Sequence, residues 1–137
     1  MNKSKVKYIV GAYATAPSLV LEDKNKECEF YEKLTQSIPE IRGLEIPFWG
    51  EDIHLFGADF LLKYIQPKWE NVLTCIPASV MGLKKNRHFG IASNNNALRI
   101  EAVEMHKRAN RMVHRINSHF GKKSIIAVNI ASAPSMN

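Results

Sequence analysis

Apolar residues fall along this chain in two alternating patterns, short continuous runs and longer stretches spaced at three and four. Runs bounded by Gly, Pro and small polar residues indicate buried strands, and spacing near 3.6 indicates amphipathic helices. Tyr8-Ile9-Val10-Gly11-Ala12-Tyr13-Ala14 predicts strand one, ended by Thr15-Ala16-Pro17-Ser18. Residues 26–38 carry Phe30, Leu34 and Ile38 on one helical face and are closed by Pro39, which predicts the first helix. Strand two occupies residues 42–50. A second helix is predicted over 56–65, with Phe60, Leu61, Tyr64 and Ile65 on one side and Pro67 as its stop. Strand three is Asn71-Val72-Leu73-Thr74-Cys75-Ile76-Pro77, followed by a long connection with Gly82, Gly90 and a basic cluster. Leu98, Ala102, Met105, Ala109, Met112, Val113, Ile116 and Phe120 then mark a helix of about seven turns. Asn94, Asn95 or Asn96 can cap it and Gly121 can end it. Residues 124–131 predict strand four.

Two regularities join these elements. Pro17, Pro47 and Pro77 each follow a strand and stand thirty residues apart, close to the ~31 residues per unit of an eight-unit β/α barrel. The exits of strands one and four nearly repeat, Ala14-Thr15-Ala16-Pro17-Ser18 against Ala131-Ser132-Ala133-Pro134-Ser135. Continuous apolar strands linked by helices imply a parallel sheet covered by helices, hence an α/β fold.

Within strand two, Arg42-Gly43-Leu44-Glu45-Ile46-Pro47-Phe48-Trp49-Gly50 places one carboxylate inside an apolar run. Such a group must find hydrogen-bond partners or have its pKa raised, so Glu45 is a candidate site residue. A Glu at a sheet rim paired with a neighbouring Lys or Arg is the competing reading.

Composition narrows the class. At 137 residues, 45% hydrophobic and 23% charged, the chain is that of one globular domain. The formal charge of +6 is unevenly placed. Acids slightly outnumber bases before Val80, whereas Lys84, Lys85, Arg87, Arg99, Lys107, Arg108, Arg111, Arg115, Lys122 and Lys123 after it face only Glu101 and Glu104. Cys28 and Cys75 have neither metal spacing nor a disulfide framework, which suits reduced thiols in a cytoplasmic protein. The basic start imitates a signal peptide, but its apolar run is near the ~7-residue minimum and contains Gly11 and two tyrosines, so a leader is not the reading. No run approaches the ~18 apolar residues of a membrane span.

Lys7-Tyr8-Ile9-Val10-Gly11-Ala12-Tyr13-Ala14, Gly43-Leu44-Glu45-Ile46-Pro47-Phe48-Trp49-Gly50 and His88-Phe89-Gly90-Ile91-Ala92-Ser93 resemble the first half of an uncharacterised bacterial family of xylose-isomerase-like TIM barrels. That family is similar, more distantly, to sugar-phosphate isomerases and epimerases. The resemblance implies that residues 1–137 form a single partial (β/α) barrel, a half-barrel of four parallel strands and three helices. It also implies that a divalent metal would depend on ligands from a missing C-terminal half, so no metal ligand is assigned and the cofactor is left open.

A β/α barrel carries its site at the C-terminal ends of the strands. Tyr13, Glu45, Phe48, Trp49, Thr74 and Asn129 fall there. Phe48 and Trp49 could form a platform for the C–H face of a sugar, although aromatics after a strand more often pack the barrel mouth. His54 and His88 lie in loops where a proton shuttle could sit, although loop histidines without a visible partner are usually surface residues. Lys84, Lys85 and Arg87 could meet a sugar phosphate. His106, His114 and His119 lack the i, i+4 spacing of a helical metal pair and read as solvent-facing. Lys107, Arg111 and Arg115, with Arg108 beside them, read as the solvated face of the long helix, with nucleic-acid binding as the less favoured alternative.

The expected function is therefore the N-terminal portion of a sugar isomerase- or epimerase-like barrel, inactive without further strands, with Glu45, His54 and His88 as catalytic candidates. Tyr13, Phe48, Trp49, Asn129, Lys84 and Arg87 are the substrate-binding candidates, for a sugar or sugar phosphate. The alternative is a non-enzymatic binding module using the basic helix or the sheet edges. A half-barrel would leave Val10, Ala12, Leu44, Ile46, Leu73, Cys75, Ala127 and Val128 partly wet, so pairing with a second copy or with the missing half is expected, and no membrane partner.

Overall fold

The computed structural model describes residues 7–15, 23–38 and 40–134. Nine elements follow in order: β1 (Tyr8–Val10), α1 (Ala12–Thr15), α2 (Lys24–Ser37), β2 (Ile41–Pro47), α3 (Ala58–Leu62), β3 (Asn71–Thr74), α4 (Ile76–Lys85), α5 (Asn96–Phe120) and β4 (Ile125–Asn129). The four strands form one sheet in the order β1-β2-β3-β4, and every pairing is parallel. The fold is α/β. Pro17, Pro39 and Ser135 lie outside the described residues.

Among the described residues five helices stand where three were expected. Strand one stops at Val10 and its second half turns into α1, a single helical turn. The connection after strand three contains α4, which begins just after Thr74 with Pro77 in its first turn. Proline lacks a donor that the first turn would leave unpaired anyway, so the residue that ends a strand can equally start a helix. Gly82 disguises α4 further. A Cβ there would run into the ring of Phe89, which folds back over the end of the helix.

α5 follows its apolar stripe, with Ala102, Met105, Ala109, Met112 and Ile116 buried. The Asn95 side chain accepts from the Leu98 N–H at 3.2 Å, and Gly121 ends the helix in the left-handed region at φ 62°. In α2 the inward face is Glu27, Tyr31 and Leu34 rather than Phe30, Leu34 and Ile38; Ile38 is exposed. Two helical stripes share Leu34, and the chain buries the one containing a carboxylate.

Register separates the sheet's two faces. Ile46 pairs with Leu73, and both are fully buried with Leu44 in the core shared with α5. Burial of each such side chain stabilises the fold by about 1.5–3 kcal/mol. Glu45 pairs with Val72, and Val72 with Ala127. That row points to the opposite face and passes from half-buried at Glu45 to exposed at Ala127. Of the residues expected to be partly wet, Ala12, Leu44, Ile46, Leu73 and Cys75 are buried, because they face the helices or the closely packed strand exits. Val10 is half-buried, and Ala127 and Val128 are exposed. Burial pushes the Cys75 thiol up to about 11.

A polar clasp fixes the N-terminal end of the sheet. Fully buried Asn71 accepts the Leu44 N–H on Oδ1 at 2.8 Å and donates from Nδ2 to Ser124 Oγ at 3.0 Å. Its own N–H donates to the Ser124 carbonyl at 2.7 Å. The approach is close enough that a Cβ on Gly43 would meet the Glu70 carbonyl.

Asn71→Ala strips Leu44 and Ser124 of their partners while both remain buried, so a loss of about 2–4 kcal/mol is expected in urea unfolding, with an unchanged denaturant slope. A loss under about 1 kcal/mol would remove Asn71 from this role.

Candidate functional site

Where β2 ends, Pro47 closes the pairing with Thr74 and the chain is held by backbone bonds. The Phe48 N–H donates to the Thr74 carbonyl at 2.8 Å, and the Phe48 carbonyl accepts from Ala78 at 3.1 Å. A tight turn follows, with the Trp49 N–H donating to the Asp52 carbonyl at 2.9 Å. This turn, α1, α2 and α4 enclose a cavity of about 440 Å³. Its walls are mainly apolar, from Tyr13, Tyr31, Pro47, Trp49, Leu55 and Met81, with Glu51, Asp52 and His54 as polar members. An aromatic cleft with a few polar groups at the C-terminal end of a parallel sheet has the usual character of a small-molecule site.

His54 forms part of the wall and is tightly held. Its Nδ1 accepts the Phe56 N–H at 3.1 Å, so the proton lies on Nε2, which donates to Glu27 Oε2 at 2.9 Å. Phe60 and Phe56 pack on the ring at centroid distances of 4.6 and 5.5 Å, and Tyr31 approaches edge-on at 6.2 Å. Glu27 is 1% exposed, and its Oε1 has no hydrogen-bond partner among the described residues. The negative charge of Glu27 adds to burial, the larger cause, in pushing the Tyr31 phenol well above its ordinary value near 10. Both ring nitrogens of His54 are occupied. The imidazole is therefore a fixed wall of the cavity, with Glu27 as its orienting group.

Glu45 lies at the other side of the strand exit. Its Oε2 accepts from the Tyr13 hydroxyl at 3.4 Å, a long bond, and a Cβ on Gly11 would sit 3.2 Å from the same oxygen. Glycine at position 11 thus leaves room for the carboxylate. Burial raises the Tyr13 phenol pKa, and the charge and hydrogen bond of Glu45 raise it further. The Tyr13 ring meets Trp49 edge-on at 6.2 Å.

Tyr13, Trp49 and His54 line this cavity, and Glu45 touches it through Tyr13. The other candidates stand apart. Phe48 is fully buried in the core, because β-strand alternation turns it to the helix-covered face with Leu44 and Ile46. Asn129 is exposed at the end of β4. Lys84 is exposed in the last turn of α4, and Arg87 and His88 are exposed just beyond it, where Arg87 Nε donates to His88 Nε2 at 3.1 Å. None of these lines the cavity. His106 is half-buried rather than solvent-facing, and its Nδ1 donates to the Ala102 carbonyl at 2.7 Å. Sequence reasoning missed Glu27, Tyr31, Glu51, Asp52 and Met81. The i, i+4, i+7 series Glu27, Tyr31, Leu34 was a visible signal for the first two.

Among the described residues no cluster of three or more His, Cys, Asp or Glu could hold a metal ion. No helix among them is long and apolar enough to cross a membrane.

Residues 9–137 match the family described as "Domain of unknown function (DUF4862)". An uncharacterised protein of Salmonella typhimurium is 33% identical over 132 residues, 96% of this chain and 42% of the relative. The chain thus spans about two-fifths of the length of that curated relative. No solved structure matches.

The raised Tyr31 pKa has a definite sign. The folded state keeps the phenol neutral where the unfolded chain, with a pKa near 10, ionises, so its contribution is complete below about pH 10 and is lost as pH rises towards the folded-state value. Tyr31→Phe cannot ionise, and its stability, measured by urea unfolding between about pH 9 and 12, is expected to fall less steeply than the parent's. Equal slopes would contradict the burial of Tyr31 beside Glu27.

Proposed function

The chain belongs to the DUF4862 family, and from that premise we propose that it is the N-terminal portion of a sugar isomerase- or epimerase-like barrel whose activity needs strands beyond β4. The observation that carries this reading is the aromatic cavity at the C-terminal end of β2, with Glu45 and Tyr13 joined beside it. Two facts support the partial barrel. The Glu45, Val72, Ala127 row lies on the face opposite the Leu44, Ile46, Leu73 core and passes from half-buried, where Tyr13 of α1 meets Glu45, to exposed at Ala127, as an interior row would before a barrel closes. The matched stretch covers 42% of the relative, which leaves more than half of that chain for further strands.

Isomerisation or epimerisation moves a proton on a carbon next to a carbonyl, which needs a base, an acid and stabilisation of the developing oxyanion. Glu45 is the base in this proposal. The Tyr13 hydroxyl, whose raised pKa keeps it protonated, is the donor to the substrate oxygen. Trp49 and Tyr13 offer ring faces to the C–H side of a sugar. His54, fixed by Glu27 and the Phe56 N–H, bounds the cavity rather than shuttling protons. The described residues gather no set of three carboxylates, histidines or cysteines for a divalent metal, and no step is assigned to one.

One further observation favours association in the absence of those strands. Ile9, Val128 and Ile130 are exposed along the outer strands, and unpaired strand edges invite pairing. Sedimentation of the 137-residue chain is expected to give a dimer at micromolar concentration; a stable monomer would refute this.

The enzymatic proposal is tested by following aldose–ketose interconversion and epimerisation by NMR over a panel of sugars. The chain alone is expected to be inactive, and a chain extended to the relative's length active. Glu45→Gln in the extended chain should lower kcat/KM by about 10²–10⁴-fold. An extended, folded chain that turns over no sugar, or one indifferent to Glu45→Gln, would overturn the assignment.

A further inference from the structure

A second cleft opens beside the aromatic cavity and carries the opposite charge. Arg108, Arg111 and Arg115 stand at i, i+3 and i+7 on α5, and with Met112 and Glu51 they line a space of about 210 Å³. Glu51 lines both this cleft and the aromatic cavity, so the two are neighbours across one side chain. Neighbouring guanidiniums on a helix repel one another. Here two of the three are held by partners: Arg108 Nε donates to the Gly50 carbonyl at 2.9 Å and lies 3.1 Å from Glu51 Oε1, both in the connection after β2, and Arg115 Nη2 reaches Asp59 Oδ1 at the start of α3 at 2.8 Å. Arg111 has no carboxylate within ion-pair distance among the described residues. Lys107, on the same helix, is taken up by Glu104 at 2.7 Å.

The Glu51 carboxylate marks the position an incoming oxyanion would take. Its side chain is 82% exposed and held by one arginine, so it can swing into water when a dianion with more acceptor oxygens arrives. Guanidinium groups suit such a ligand because their planar donors match phosphate oxygens in pairs. A space of about 210 Å³ holds one phosphate group and its attachment, whereas a nucleic-acid backbone needs a longer track of cations.

We propose that the Arg108–Arg111–Arg115 cleft is the phosphate subsite of the adjoining cavity, so that the ligand is a phosphate monoester whose sugar portion lies against Trp49 and Tyr13. The identity of the sugar portion rests on the isomerase-like reading; the phosphate subsite does not. It also places the anion contact on α5 rather than at Lys84, in the last turn of α4, and Arg87 just beyond it.

Calorimetric titration of the full chain with inorganic phosphate, a hexose phosphate and the parent hexose tests this. Both phosphate probes are expected to saturate, with Arg111→Gln weakening each by tenfold or more and Lys107→Gln, an equal loss of charge, by less than twofold. Hexose binding should be unchanged by Arg111→Gln. Absence of saturable phosphate binding, or equal weakening by the two variants, would overturn the subsite. Duplex DNA displacing the hexose phosphate at lower phosphate concentration would also overturn it, in favour of a nucleic-acid surface. Phosphate binding that depends on Arg111, with no hexose binding, would keep the subsite and remove the sugar reading.

Discussion

A carboxylate withdrawn from water sets the terms for much of this structure. Glu27 is 1% exposed on α2, and among the described residues its carboxylate has one hydrogen-bonding partner, the Nε2–H of His54. Leaving such a buried acceptor without that partner is destabilising by about 1–3 kcal/mol. The α2 helix and the loop after β2 must therefore sit in one relative position. That position brings Tyr31 and His54 to the wall that Trp49 and Leu55 complete, so the cavity and the buried pair are two aspects of one packing arrangement. The aromatic rings around His54 hold it on the sides where hydrogen bonds do not.

The pattern of the sequence made some of this legible and hid the rest for identifiable reasons. α5 was readable because its apolar stripe, asparagine cap and terminal glycine all point the same way. The parallel sheet was readable because strands covered by helices lose the polar alternation of a half-wet sheet. α4 was hidden by Pro77 and Gly82, which ordinarily break helices and here serve a first turn and a close ring contact. Glu45 stood out because its neighbours in the strand are apolar. Glu27 did not, since a glutamate among lysines on a helix reads as surface; its place on the Tyr31, Leu34 stripe was the one local hint, and its partner His54 stands 27 residues away. Phe48 and Trp49 are adjacent in sequence, yet strand alternation sends one into the core and the other to the cavity.

Charge is distributed in the same way, with roles that composition alone cannot assign. The basic excess of the second half is not one uniform solvated stripe. Lys107 turns to Glu104, Arg108 and Arg115 reach back to the loop after β2 and the start of α3, and Arg111 is left between them. Arg108 thereby ties the long helix to the turn that carries Trp49, so a basic helix anchors one wall of an apolar cavity.

The Asn71–Ser124 clasp also bears on the order in which the chain can assemble. It joins residues 53 apart, and closing a flexible loop of that length costs on the order of 3.5 kcal/mol of chain entropy before the contact returns anything. α5 occupies 25 of the intervening residues. Once helical, it replaces a long flexible stretch by a rod of about 37 Å, with a fixed reach. Docking of β4 then becomes the arrival of a stiff arm, and the helix with the strongest local signals in the sequence is also the one on which the most distant strand pairing depends.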